Sequence, residues 1–315
     1  MGDRSLQVIH VIDLNFLLNP PTDLTVSVVL GIALILGMLH GVTPDEHTWP
    51  ITFSYSIGSY SSKGGMKSGF MFSLGFMIQR AFLTTLGFLG LATIYKTYNL
   101  DGPIYIIVGI AMFAAGAYLS KGRYVHIPFD SLLGGKLHHT QSAERIQPHQ
   151  EISEVPLRMA TLHGLIAGFG FGAYATIITF ILAPHVPSII YAPLVGLAFG
   201  FGTMLMQIVL GAAFANIMRV KKLTIDQIKF IGKSAAARTL YLGGIAFAII
   251  GVLIAAFPIL NKVALNTGSQ IPNLDSIGVA SGLVIAVVGV IGLGSLYSSY
   301  RELKKIPAKT KNPSG

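Results

Sequence analysis

Cysteine is absent from this 315-residue chain. That excludes disulfides, thiolate metal sites and the paired-thiol chemistry of membrane electron carriers. Charge is also scarce: 11% of residues are Asp, Glu, Lys or Arg, against about 25% in soluble globular chains. With 52% hydrophobic residues and a mean hydropathy of +0.65, the composition is that of a membrane protein. A phosphate-cradling GxxxxGK[ST] loop is missing, which excludes an ATPase of that kind within the chain. No nucleophile or cofactor motif accompanies its histidines and carboxylates, so we expect no enzyme activity and no tightly bound cofactor. Near the start, Ser5–Leu18 is moderately apolar. His10 and Asp13 interrupt it, and no small-residue cleavage site follows, so it reads as an amphipathic segment near a membrane surface or a loosely ordered terminus, not a signal peptide.

What is present is apolar sequence in long runs. Seven segments are long enough to cross a hydrocarbon core of about 30 Å: Leu24–Gly41, Ser68–Ile94, Pro103–Ser120, Leu157–Ala183, Ser188–Met218, Ala236–Leu260 and Ile277–Tyr297. The 36 glycines suit close helix packing in lipid. With the N-terminus outside, 18 of the 22 basic residues fall in inner loops and the C-terminal tail. Arg4, Lys96 and Lys262 fall outside, and Arg80 lies within a span. The net charge of +9 is thus a positive-inside topology signal, not a sign of a nucleic-acid partner.

The expected fold class is all-α: a polytopic membrane helix bundle of about seven spans, with inverted three-helix repeats and a broken first helix. Residues 1–23 form an extracytoplasmic or interfacial segment and 24–120 a first three-helix half. A cytoplasmic linker, 121–156, carries His126, His138, His139 and His149 and reads as an ordinary solvated connection. Residues 157–260 form a second half, 261–300 a final helix and 301–315 a basic cytoplasmic tail. An internal echo supports two halves: Leu39-His40-Gly41 recurs as Leu162-His163-Gly164, and Ile51-Thr52-Phe53 as Ile178-Thr179-Phe180. Inverted halves are a common transporter plan, with the site between them.

Gly31–Thr52, GIALILGMLHGVTPDEHTWPIT, concentrates the chemistry. Thr43-Pro44-Asp45-Glu46 predicts a helix start with Thr43 as N-cap, Pro44 at the first position and Glu46 closing a capping box. One helix would then end near Gly41–Val42 and leave backbone groups free beside His40, Asp45, Glu46 and His47. Helix breaks in a bilayer are tolerated mainly where they line a cavity. Imidazoles with carboxylates suit nickel, cobalt, zinc and other first-row ions. The competing reading is a capped interfacial helix with Trp49, Tyr55 and Tyr60 as belt aromatics and incidental histidines; on the residues alone both stand. Arg80, mid-span beside Gln79, needs a partner, for which Asp45 or Glu46 is the natural choice. An unpaired Arg80 would point to an anionic substrate instead. His163, ahead of Gly164, Gly168, Gly170 and Gly172, and Gln207 in the fifth span are further intramembrane candidates.

These residues resemble the nickel/cobalt transporter family of membrane permeases. Its signature, His-Ala-x-Asp-Ala-Asp-His followed by a Phe-Ser-Leu-Gly-His segment, is similar to LGMLHGVTPDEH and to Phe72-Ser73-Leu74-Gly75-Phe76 here. His40 and Asp45 fall on its first histidine and second aspartate, and His47 on its last histidine with one position inserted. Gly170-Phe171 and Met206-Gln207 with Gly211 look like fragments of its later motifs. Thr43, Phe76, Gly172, Thr176, Gln207 and Leu210 stand where the family has acids or histidine. The resemblance implies a secondary permease for a divalent transition metal, nickel or cobalt first. His40, Asp45, His47 and His163 would be metal ligands, with Glu46, Gln79, Arg80 and Gln207 as supporting or coupling groups. Protons or membrane potential would drive it. The expected setting is the cell membrane, multi-pass, with the C-terminus cytoplasmic; lipids, the metal substrate, and a homo-oligomer or other membrane subunits are the expected partners. Two alternatives are an exporter of an organic or sulfur-containing anion on the same fold and a non-transport subunit of a larger complex.

Overall fold

The computed structural model describes residues 13–120, 157–217 and 223–305, with the Lys96 side chain left out. Most of the N-terminal segment, the histidine-bearing linker 121–156 and the end of the basic tail lie outside the described residues. The described chain is almost wholly helical. A short helix α1 (Leu14–Leu18) is capped by Asp13, whose carboxylate accepts from Asn15 N. The elements that follow are α2 (Val26–Val42), α3 (Trp49–Gly58), α4 (Ser62–Phe88), α5 (Thr93–Thr97) and α6 (Asp101–Ser120). Beyond the linker come α7 (Leu157–Ala167), α8 (Ala173–His185, with a π-helical stretch Ile177–Leu182), α9 (Ala192–Asn216), α10 (Ile225–Ala256) and α11 (Val279–Lys305). The α10–α11 connection holds a two-residue antiparallel ladder, β1 (Leu265–Asn266) with β2 (Ser276–Ile277).

Among the described residues, five helices (α4, α6, α9, α10 and α11) are long and apolar enough to cross a membrane, and α2 and α8 are shorter apolar helices. The chain is therefore a multi-pass membrane protein of the all-α class. The first span ends at a break where expected, and the fourth is broken as well. Pro44 disfavours helical backbone at the residue before it, and Thr43 accordingly takes φ −78°, ψ 145°. Its hydroxyl donates to Leu39 O at 2.8 Å and closes α2. The expected helix start at Thr43 is thus corrected: Thr43 stops one helix, and the next begins at Trp49, with Pro50 in its first turn. The predicted continuous span Leu157–Ala183 is interrupted too, at 168–172, where three glycines in five residues weaken the helix.

At the other end of the hydropathy pattern, α10 begins eleven residues before its predicted apolar run. Thr224 accepts from Gln227 N while the Gln227 side chain accepts from Thr224 N, a capping box that starts the helix in polar sequence.

The most extensive packing joins α4 to α9 and α6 to α10. The α4–α9 crossing is set by backbone approach: a Cβ on Gly65 would overlap the Gly211 carbonyl, and one on Gly211 would overlap that of Gly65. Equivalent contacts recur in the two halves. Gly41 of α2 lies against Thr203 of α9, and Gly164 of α7 against Phe72 of α4. Each Leu-His-Gly triplet therefore precedes a break and abuts a long helix on the other side of the linker.

Candidate functional site

The two breaks meet near the middle of the bundle. The α2–α3 turn is held by Asp45, whose Oδ1 accepts from His47 N at 3.0 Å and whose carbonyl accepts from Trp49 N at 2.9 Å. Consecutive residues Asp45, Glu46 and His47 are thereby bent toward one point. Each offers a ligand atom, and these atoms lie within 4.8 Å of one another, all three residues buried. Among the described residues they are the cluster of at least three metal-capable groups. His47 Nδ1 sits 3.0 Å from Glu46 Oε1 and its Nε2 has no partner, so one imidazole nitrogen is oriented while the other is free. Orientation of a ligating imidazole through its second nitrogen is the common arrangement in metal sites.

The surrounding groups come from five helices and the second break. Tyr105 of α6 donates to Glu46 Oε1 at 2.9 Å and presents its ring edgewise to His47, centroids 5.0 Å apart. His40, in the last turn of α2, has Nδ1 3.7 Å from Asp45 Oδ2. Its ring stacks on Phe76 of α4 and Phe199 of α9 at 5.4 and 5.3 Å, with Tyr174 of α8 at its edge. Its Nε2 is without a partner. Gln207 donates to Gly41 O at 3.0 Å and so satisfies one of the carbonyls that the end of α2 leaves over. Gly170, in the second break, packs on the face of His47: a Cβ there would stand 2.6 Å from three ring atoms.

Several expectations need correction. Glu46, expected as a supporting group, is part of the cluster itself. His163 stands apart from it: its Nδ1 lies 2.9 Å from Tyr55 OH and 2.8 Å from Met159 O. Arg80 makes no ion pair with Asp45 or Glu46 within 4.0 Å. Its Nη2 donates to Gly170 O at 2.8 Å, and its guanidinium lies over the Phe76 and Phe199 rings at 4.6 and 5.7 Å. Gln79, one residue earlier, packs on Gly168, and neither of its amide atoms has a partner. The interfacial-helix reading fails as well, because every residue from Pro50 to Gly58 is buried and Tyr55 is bonded inside the bundle.

Sequence reasoning missed Tyr105, Phe199, Tyr174 and the Gly170 carbonyl. Tyr105 is 59 positions from Glu46, inside an apolar span where one hydroxyl does not interrupt the hydropathy. It also missed that the α10–α11 connection reaches the site. Asn273, with φ +68°, donates to Thr43 Oγ1 at 3.3 Å, and Tyr174 OH donates to Pro272 O at 3.3 Å.

Chemically, the site offers two carboxylates and an imidazole in one place, a second imidazole beside them, and a guanidinium held by a backbone carbonyl. Comparison of the chain with family models, curated proteins and solved structures finds no match.

Proposed function

We propose that this chain is a secondary permease for a divalent transition-metal ion, nickel or cobalt first, with Asp45, Glu46 and His47 as its ligands and His40 beside them. The observation that carries the reading is the convergence of those three side chains, buried at a helix break, with His47 Nε2 unpartnered. Mixed N/O donors suit first-row dications. Three protein ligands leave coordination positions open, as a site that must release its ion needs. The resemblance to the nickel/cobalt family gains support from location: Phe76, which stands where the family has histidine, stacks directly on His40. On this reading the protein is not an enzyme, protons or membrane potential supply the drive, and the basic ends face the cytoplasm of a cell membrane.

The test is nickel and cobalt flux in cells with and without the chain, repeated with His40→Ala, Glu46→Gln and His47→Ala. Loss of flux in the Glu46 and His47 variants, with the protein still inserted, is the expected result. Unchanged flux in both would overturn the reading.

One observation favours a second reading, an anion exporter on the same fold: the buried Arg80 has no carboxylate partner within 4.0 Å and two unpartnered nitrogens. Flux that follows an organic or sulfur-containing anion and ignores chelators would select it.

A further inference from the structure

Arg80 is 1% exposed, yet its guanidinium is satisfied at one nitrogen alone: Nη2 meets Gly170 O, while Nε and Nη1 have no hydrogen-bond partner. The faces of Phe76 and Phe199 offer it quadrupole attraction but no hydrogen bonds. The adjacent Gln79 amide is also buried with both its polar atoms unpartnered. Arg80 is held to Gly170 and Gln79 packs on Gly168, so both side chains lie at the second break. Gly170 links this pair to the site, its carbonyl accepting from Arg80 while its backbone packs on the His47 ring, and Phe76 and Phe199 lie against both His40 and Arg80.

Charge balance shows what is missing. Asp45 and Glu46 bring two negative charges and Arg80 one positive. A dication seated on the carboxylates and a neutral His47 would leave the centre one charge positive. Uncompensated charge inside a bundle surrounded by hydrocarbon is costly. A monoanion on Arg80 makes the loaded centre neutral, and a guanidinium is well suited to carboxylate and other oxyanions.

Resting on the metal reading above, we propose that the ion is bound together with a small monoanion, a carboxylate or bicarbonate-like oxyanion held by Arg80 and the Gln79 amide. The loaded transporter then carries a metal–anion pair in place of a bare dication. Arg80 is on this account a specificity-determining residue: it disfavours the dication alone and accepts it with its counter-ion.

The experiment is equilibrium dialysis of the purified full chain with radiolabelled nickel and radiolabelled formate, each alone and together, for the wild type, Arg80→Gln and Arg80→Lys. The wild type is expected to retain formate with nickel in equal amounts and to bind nickel about tenfold or more tightly when formate is present. Arg80→Gln is expected to lose the formate effect and, with the positive charge gone, to bind nickel without formate more tightly than the wild type does without formate. A purely structural arginine would give weaker binding in that variant. Arg80→Lys retains the charge and part of the formate effect, and it serves as the test should the glutamine variant not fold. Nickel binding by the wild type that is indifferent to formate overturns the pairing and leaves the metal reading standing. Formate retention that ignores nickel overturns the pairing and favours the anion exporter. Absence of nickel binding under every condition overturns both.

Discussion

At the residue scale, the site depends on how one hydroxyl and one carboxylate oxygen fix an imidazole. Tyr105 donates to the same Glu46 Oε1 that faces His47 Nδ1, and its ring also limits how His47 can tilt. Removing the hydroxyl while keeping the ring therefore separates orientation from packing. Tyr105→Phe is expected to weaken nickel binding by about 10–100-fold, the usual cost of losing a group that orients a metal ligand, with little change in thermal stability. Nickel titration alongside a melting curve of the purified protein checks both halves of that statement. The clustered residues themselves were legible in the sequence, since two histidines and two acids within eight positions stand out against an apolar run. Their partners were not. Phe76 and Phe199 are ordinary apolar residues of ordinary spans, and only the helix crossing brings both onto His40. His163 misled for the opposite reason: the echoed Leu-His-Gly triplet suggested an equivalent site role, but the second break brings glycines where the first brings acids.

At the element scale, the breaks were half legible. Pro44 announced the first, and its effect on Thr43 decided which helix that residue belongs to. The second break hid inside a run whose hydropathy is uninterrupted, because glycine lowers helix stability without lowering apolarity. Its function is steric: it brings backbone to the face of His47. Gly170→Ala is expected to displace that ring and cut metal affinity at least about tenfold, since its Cβ would stand 2.6 Å from the imidazole. Gly172→Ala serves as the control, as the nearest atom to its Cβ is Asn273 Oδ1 at 4.0 Å, an ordinary contact. The α10–α11 connection is the third element at the site. It bonds to Thr43 beside one break and to Tyr174 just beyond the other, and so it straps the two halves together on one side. If access alternates between the two sides, that strap must lift. Tethering Thr43→Cys to Asn273→Cys under oxidising conditions is then expected to stop flux, and reduction to restore it; flux unaffected by the tether would show that the strap does not move.

At the scale of the whole molecule, sidedness can be argued from contacts as well as from composition. Ser62, at the start of α4, donates to Asn216 at the end of α9. Lys229 near the start of α10 lies over Tyr60, and Arg238 further along α10 forms an ion pair with Glu302 near the end of α11, at 2.7 Å. Lys63, Lys67, Lys229, Arg301, Lys304 and Lys305 thus gather toward one face. Asp101, bonded to Asn261, and the strap over Thr43 mark the other, which holds Lys262. Positive charge on one face predicts that this face is cytoplasmic. A chain without cysteine carries no native thiol background, so single cysteines at Ser62 and Asn261 report sidedness directly. In intact cells a membrane-impermeant thiol reagent is expected to label Asn261→Cys and to spare Ser62→Cys until the membrane is opened. The reverse pattern would place the basic ends outside and turn the site over, with the strap closing it from the cytoplasm.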